Sequence, residues 1–210
     1  MEKFKTIAED GTAEIEEKKS KFIANIFYIN SEKQAQEKLQ EIKKKYWDAR
    51  HHCYAYQVIE PDGIKVKASD DGEPSGTAGA PILNIIKRNE LYNILIIVTR
   101  YFGGTLLGTG GLIRAYTEAS QKALENTKIV IQQEAEELEL TIPYSELEKF
   151  KYYCNKNQIE ITSITYENEI KCQILLSKEE KEKLVKQSKE FLQIIEYKGL
   201  GKKYVKKKIE

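Results

Sequence analysis

The sequence has 210 residues, of which 40% are hydrophobic and 32% charged, a balance that indicates a folded chain of one or two domains and excludes a disordered one. Lysine and arginine total 34 against 33 acidic residues, for a net charge of +1, so a globally basic nucleic-acid binder is disfavoured. The longest apolar run, Ile94–Val98, is too short to span a membrane, and Met1–Lys5 begins no secretory signal. We therefore expect a cytoplasmic protein with no membrane partner.

Residues 1–130 combine strand and helix patterns. Alternating or β-rich segments predict strands at 13–15, 22–29, 51–59, 64–69 and 93–102, the last being the most apolar and hence central. A helix is predicted after the capping box Ser31-x-x-Gln34, and two more from Pro81 and over 112–126.

The last part of the chain has a simpler pattern, with no glycine between Gly111 and Gly199. Strand alternation and the capping boxes Ser145-x-x-Glu148 and Ser177-x-x-Glu180 predict the order β-α-β-β-α-β, the ferredoxin-like motif. The predicted fold class is therefore α+β with two domains. Residues 1–130 would form an N-terminal two-layer α/β domain, and residues 134–210 a C-terminal ferredoxin-like domain.

The first candidate site is the glycine-rich loop 69–79, SDDGEPSGTAG. Carboxylates of Asp70, Asp71 and Glu73 are the oxygen ligands that a hard cation prefers, although their spacing does not fit an EF-hand. The alternative is a self-bonded turn in which aspartate side chains cap local N–H groups.

The second candidate is the segment 99–116, which leads from a strand through a glycine-rich loop to a helix N-terminus. Backbone N–H groups at such a helix end form an anion site, and the flanking Arg100 and Arg114 would clamp a phosphate. The loop glycines are Gly103, Gly104, Gly108, Gly110 and Gly111. Neither the P-loop nor the dinucleotide fingerprint fits. Aromatic residues at 101, 102 and 116 would stack on bases, but Tyr116 also lies on the apolar helix face, and Arg114 could instead pair with Glu118.

Cysteine chemistry and a lysine-rich tail are weaker candidates. Three cysteines without a short spacing predict neither a disulfide framework nor a zinc cluster, and Cys53 is favoured as a buried structural residue over a nucleophile. The tail 198–208 contains six lysines, including Lys202 and Lys203, which would either contact phosphates or belong to a solvated, frayed terminus.

The strings HHCYAY, SDDGEPSGTAG, VTRYFGG and GTGGLIRAY together resemble the YigZ/IMPACT family in order and spacing. The resemblance covers residues 1 to about 128 as the IMPACT N-terminal domain, and the remainder is similar to the bacterial C-terminal domain, which resembles the fifth domain of elongation factor G. It implies an N-terminal fold shared with a ribosomal small-subunit protein and with the fourth domain of elongation factor G. Eukaryotic relatives regulate translation initiation under amino-acid starvation, by competing for an activator of an initiation-factor kinase.

The resemblance also implies a site where the two loops meet, with Cys53 near it. The residues carried over are Asp70, Asp71, Glu73, Ser75, Gly76, Thr77, Arg100, Tyr101, Gly103, Gly104 and Arg114.

Three functions follow from these patterns. The leading hypothesis is a non-enzymatic, translation-associated regulator, without a cofactor, that binds RNA or the ribosome through a glycine-rich, arginine-flanked cleft. The second is an enzyme acting on a phosphorylated small molecule with Mg²⁺, which the absence of a clear base or lysine disfavours. The third is a module that binds a protein partner in translation regulation.

Overall fold

A computed structural model describes residues 3–191 and 193–208. Residues 1, 2, 192, 209 and 210, which the expected domain ranges include, lie outside the described residues. The chain divides into two compact units, one built on residues 3–131 and the other on 132–207. Both combine helices with an antiparallel sheet, so the two-domain α+β class is confirmed.

Six strands and three helices make up the described part of the first unit. They are β1 (Lys3–Ile7), β2 (Gly11–Glu17), β3 (Ser20–Tyr28), α1 (Glu32–Lys45), β4 (His51–Glu60), β5 (Gly63–Ser69), α2 (Gly79–Arg88), β6 (Ile94–Tyr101) and α3 (Gly108–Glu125). Strands pair antiparallel in the order β2-β3-β6-β4-β5. The apolar strand β6 is central, as predicted, because Ile94–Val98 is buried on both faces of the sheet.

Alternating side chains of β6 contact different layers. Ile94, Ile96 and Val98 pack with α2 and α3 in one core cluster, whereas Leu95 and Ile97 pack with α1 in another. Helix α1 thus adds a layer on the second face of the sheet, beyond the two layers expected. The face covered by α2 and α3 is the one next to the glycine-rich segments 69–79 and 99–116.

The second unit begins within a long strand. Its elements are β7 (Ile129–Ile142), α4 (Leu147–Lys156), β8 (Glu160–Tyr166), β9 (Ile170–Leu176), α5 (Lys178–Phe191) and β10 (Glu196–Lys208). Within this unit β7 pairs with both β10 and β9, and β9 pairs with β8. This is the strand order of the predicted ferredoxin-like motif, with a core of alternating residues such as Leu138, Leu140, Cys172 and Ile174.

The hydrogen bonds at the helix N-termini show which of the three predicted capping boxes form. Ser31 Oγ accepts the Gln34 N–H at 3.2 Å, and Ser177 Oγ accepts the Glu180 N–H at 3.3 Å, so two boxes are confirmed. The box at Ser145 is wrong, because a 3₁₀ turn at Tyr144–Glu146 precedes α4 and no side chain caps that helix. None of the helices in the described part of the chain combines the length and apolar character needed to cross a membrane.

Candidate functional site

Asp70 organises the first glycine-rich loop by accepting three backbone hydrogen bonds. Its Oδ1 accepts the N–H groups of Ala78 and Gly79 at 3.0 and 2.8 Å, and its Oδ2 accepts that of Gly76 at 2.9 Å. Burial acts to raise the pKa of this carboxyl, but the three N–H donors outweigh burial and hold the pKa below its ordinary value. The loop is therefore the self-bonded turn that was the alternative to a cation site.

Asp71 ties the loop to strand β4 and helix α1. Its Oδ2 accepts the His52 N–H at 2.7 Å, and its Oδ1 lies 3.2 Å from Lys43 Nζ. The Asp71 carbonyl oxygen lies 2.9 Å from His51 Nδ1. The loop carboxylates are therefore directed to separate partners and do not converge on one cation, and the described residues contain no metal-ligating cluster.

Glu73 joins the two loops through a buried ion pair. Its Oε1 lies 2.7 Å from Arg100 Nη1, and the two side chains are only 3% and 6% exposed. The same oxygen accepts a hydrogen bond from Tyr116 Oη at 2.9 Å, and Tyr116 is buried in the core as its place on the apolar helix face predicted. The guanidinium also lies 5.4 and 5.6 Å from the ring centroids of Phe22 and Phe102.

Cys53 lies at the inner end of this network. Its Sγ is 2.9 Å from the Asp70 carbonyl oxygen, to which the thiol donates, and 3.3 Å from Tyr116 Oη. Burial raises the pKa of the thiol to about 12, so it is protonated at neutral pH and unsuited to nucleophilic attack. The predicted structural role of Cys53 agrees with this environment.

Gly103 allows the second glycine-rich loop to pack closely on the turn of the β2–β3 hairpin. A Cβ at this position would lie 2.0 Å from the Lys19 carbonyl carbon, which only glycine avoids. Ser20 Oγ accepts the Gly103 N–H at 3.2 Å and a hydrogen bond from Arg100 Nη2 at 3.3 Å. The hairpin, the second loop and the ion pair are therefore bonded to one another.

The structure corrects the expected role of Arg100. Its guanidinium is buried and already neutralised by Glu73, so it does not provide a phosphate clamp on the surface. Arg114 is exposed, and the alternative pairing with Glu118 is wrong because Glu118 pairs with Lys122 at 2.8 Å. Only one of the two predicted arginines is therefore available to an external anion.

An exposed surface surrounds the start of α3. We call it the loop–helix surface and define it by Phe102, Leu106, Ile113 and Arg114, whose apolar members are 51%, 84% and 42% exposed in that order. No side chain caps α3, so its first N–H groups, near the exposed Gly108 and Gly110, have no side-chain acceptor. Gly104 is likewise exposed, whereas Gly111 is buried.

The remaining predicted residues of the first domain have separate positions. Thr77 is buried, and its hydroxyl donates to the Pro74 carbonyl oxygen at 2.7 Å, whereas Ser75 and Gly76 are exposed. Tyr101 donates its hydroxyl to Asp48 Oδ1 at 2.8 Å, so its ring is held beside the turn that follows α1.

The lysine-rich tail is a strand and not a frayed terminus. In β10, Lys203 Nζ lies 2.8 Å from a carboxylate oxygen of Glu137, and Lys202 is paired with Glu134. The charges of both lysines are therefore compensated by glutamates of the second unit.

Comparison with known proteins assigns the chain to a family. A family model described as the Impact N-terminal domain matches residues 18–124, and one described as domain of unknown function DUF1949 matches residues 140–191. The IMPACT family member YvyE of Bacillus subtilis is 38% identical over 175 residues, which cover 83% of this chain and 80% of that protein. The chain belongs to the IMPACT family.

Other relatives extend this likeness to a solved fold. An IMPACT family member of Haemophilus influenzae is 40% identical over 151 residues, covering 71% of this chain and 73% of the relative. A crystal structure described as that of a hypothetical protein has a TM-score of 0.60 and 28% identity, and it covers 100% of this chain and 98% of the other. The family resemblance drawn from the motif strings is confirmed.

Sequence reasoning missed three residues that shape this IMPACT domain. Ser20 bonds Arg100 and Gly103, which lie 80 and 83 residues later in the chain. Lys43 forms an ion pair with Asp71, and Trp47 is 81% exposed. No local pattern links Ser20 to Arg100, because strand pairing alone brings them together. Trp47 did carry a signal, as it is the chain's one tryptophan and lies two residues after a run of three lysines.

Proposed function

We propose that this IMPACT protein is a non-enzymatic, translation-associated regulator that binds RNA or the ribosome through the loop–helix surface. The observation that carries the proposal is that the buried and the exposed residues of the two glycine-rich segments, 69–79 and 99–116, differ in chemistry. Inside, the reactive side chains are bonded to one another; outside, an arginine and three apolar side chains surround an uncapped helix start.

The buried side of the loops supports a binding role over catalysis. Arg100, Glu73 and Tyr116 form a network that already satisfies their charges and hydroxyl, and Cys53 has a thiol whose pKa is raised to about 12 by burial. The carboxylate oxygens of Asp70 accept hydrogen bonds from backbone N–H groups of its own loop. The groups that an enzyme would present to substrate instead stabilise the loops.

The exposed side fits a nucleic acid in two respects. Arg114 and the N–H groups at the start of α3 favour phosphate oxygens, because the helix end carries partial positive charge. Phe102 is half-exposed and offers a ring on which an unpaired base can stack. Family membership supports RNA or the ribosome as the source of that phosphate, as does the similarity to modules of the translation machinery that the family resemblance implies.

Ribosome pelleting across a salt series tests the proposal. The wild-type protein is expected in the ribosome pellet at low salt, and Arg114→Glu is expected to shift it to the supernatant. If Arg114 contacts one phosphate, losing it lowers the slope of log affinity against log salt by about 0.7–0.9. Lys33→Glu is the matched control, since Lys33 is an exposed residue at the start of α1 and the change in charge is the same.

Equal amounts of wild-type protein in the supernatant with and without ribosomes would refute the proposal. Retention that survives both nuclease treatment and high salt would instead favour a protein partner, the third function considered above.

A further inference from the structure

A second exposed surface lies where α1 ends and β4 begins. We call it the α1 C-terminal surface and define it by Lys44, Lys45, Trp47 and Arg50. Trp47 is 81% exposed, and all three cations of the surface are exposed as well. Lys44 and Arg50 have no ion-pair partner among the described residues, while Lys45 Nζ lies 5.1 Å from the centroid of the Tyr46 ring. The surface therefore combines two cations that have no ion-pair partner with a large aromatic ring, and its one exposed carboxylate is that of Asp48, between Trp47 and Arg50 in the chain.

The basic residues alone have an ordinary explanation, and the tryptophan does not. Lysines in the last turn of a helix complement the negative end of its dipole. Tryptophan, by contrast, is mostly buried in folded proteins, because its exposure leaves a large apolar area in water. The turn holds it there: the Tyr46 N–H donates to the Ile42 carbonyl oxygen at 2.9 Å, and the Ala49 N–H to the Tyr46 carbonyl oxygen at 3.0 Å.

Three acidic groups lie on or beside this surface, and each has a partner. Glu41, near the end of α1, pairs with Lys38 at 2.9 Å. Asp71 is paired with Lys43 and accepts the His52 N–H, and Asp48 accepts the hydroxyl of Tyr101. That last bond fixes the turn to the end of β6, from which the chain continues into Phe102 and the loop–helix surface. The two surfaces thus adjoin the same end of β6.

We infer that the α1 C-terminal surface binds single-stranded RNA, with a base stacked on Trp47 and phosphates held by Lys44 and Arg50. An unpaired base can stack on an exposed ring, whereas the bases of a duplex are already stacked on each other. Lys44 and Arg50 are exposed three residues before and three residues after Trp47, which matches the phosphates on either side of such a base. The inference rests on the proposed function for its ligand class, but it concerns different residues.

The sole tryptophan of the chain makes this surface directly observable. Fluorescence excited at the red edge of the tryptophan band, where the 13 tyrosines absorb little, reports Trp47 alone. The anisotropy of a fluorescein-labelled oligouridylate reports binding anywhere on the protein. Titration of the wild-type protein is expected to quench Trp47 emission in parallel with the rise in anisotropy. The same oligonucleotide paired with oligoadenylate is expected to quench far less.

Variants separate stacking from charge. Trp47→Ala should weaken oligouridylate binding about tenfold in the anisotropy assay without changing its salt dependence, because one base–aromatic stack is lost. K44E/R50E should lower the slope of log affinity against log salt by about 1.4, or about 0.7 for each cation. K87E/R88E is the matched control, since Lys87 and Arg88 are exposed in the last turn of α2 and the change in net charge is identical.

The outcomes distinguish the two proposals. If anisotropy rises but Trp47 emission stays constant and Trp47→Ala binds as the wild type does, this inference is overturned while RNA binding at the loop–helix surface stands. Equal quenching by heparin, a polyanion without bases, would also overturn base stacking. If wild-type anisotropy does not change at low salt, this inference is overturned, and ribosome pelleting decides the proposed function separately.

Discussion

Breaking the buried Arg100–Glu73 pair should strongly destabilise the N-terminal domain. The two side chains are 6% and 3% exposed and their charged atoms are 2.7 Å apart, so removal of either leaves an unpaired charge away from water. Loss of one partner of such a pair costs about 3–5 kcal/mol of the free energy of unfolding. We expect a loss of this size for Arg100→Met and for Glu73→Gln.

The double variant R100M/E73Q should be more stable than the sum of the single losses predicts. With both charges removed, neither desolvated ion is left alone, and the coupling energy should exceed about 2 kcal/mol. The pair Glu118–Lys122 has a similar separation of 2.8 Å but is 55% and 50% exposed. Its variants K122M and E118Q should each change stability by about 1 kcal/mol at most, because solvent screens an exposed pair.

Hydrogen exchange of the β6 amides is the suitable measurement, since β6 lies at the centre of the sheet of this domain and reports its opening separately from the second domain. A loss of 3–5 kcal/mol speeds exchange through global opening roughly 150- to 5,000-fold. The reasoning is refuted if Arg100→Met exchanges no faster than Lys122→Met.

Three further outcomes are expected. Cys53 should resist iodoacetamide at pH 8 in the native protein and react once the protein is denatured, because burial raises the pKa of its thiol to about 12; rapid native labelling would contradict this environment. Gly103→Ala should lower the melting temperature by several degrees, because its Cβ would overlap the Lys19 backbone. Gly110→Ala should melt with the wild type or slightly higher, because its Cβ would meet only the end of the Arg114 side chain at 3.9 Å. Equal effects of the two substitutions would be inconsistent with the packing. Asp70 has a pKa below its ordinary value in the folded state, so its stabilising effect is complete above that ordinary value, near 3.8, and is lost as pH falls through the lowered folded pKa. Asp70→Asn should therefore cost about 1.5–3 kcal/mol at pH 7, and the difference from the wild type should shrink in urea titrations at acidic pH; a difference that is constant down to acidic pH would exclude this role of the carboxylate.

Patterns of local periodicity predicted most of the fold. The apolar run 94–98 predicted the central strand, and the boxes at Ser31 and Ser177 predicted two helix starts, because each depends on residues three or four positions apart. Helix α3 begins at Gly108, before the expected residue 112, since glycines suggest a loop even where the chain is helical. Strand β1 and the first half of β7 were missed.

The candidate site was harder to predict because its chemistry depends on burial. Both loops contain charged residues, and the sequence does not show that Arg100 and Glu73 neutralise each other at a separation of 27 positions. The same applies to Asp70, whose carboxylate bonds its own loop and not a cation. Strand pairing and the contacts of Ser20 determine which charges remain exposed, and these are long-range features.

The close contact of Gly103 with the β2–β3 hairpin has a consequence for how quickly a ligand could associate. A loop that is bonded to Ser20 and packed on Lys19 has few alternative conformations to lose when it is occupied. Complex formation at the neighbouring surface should then resemble the docking of rigid bodies, with an association rate governed by diffusion and charge rather than by slow rearrangement of the backbone.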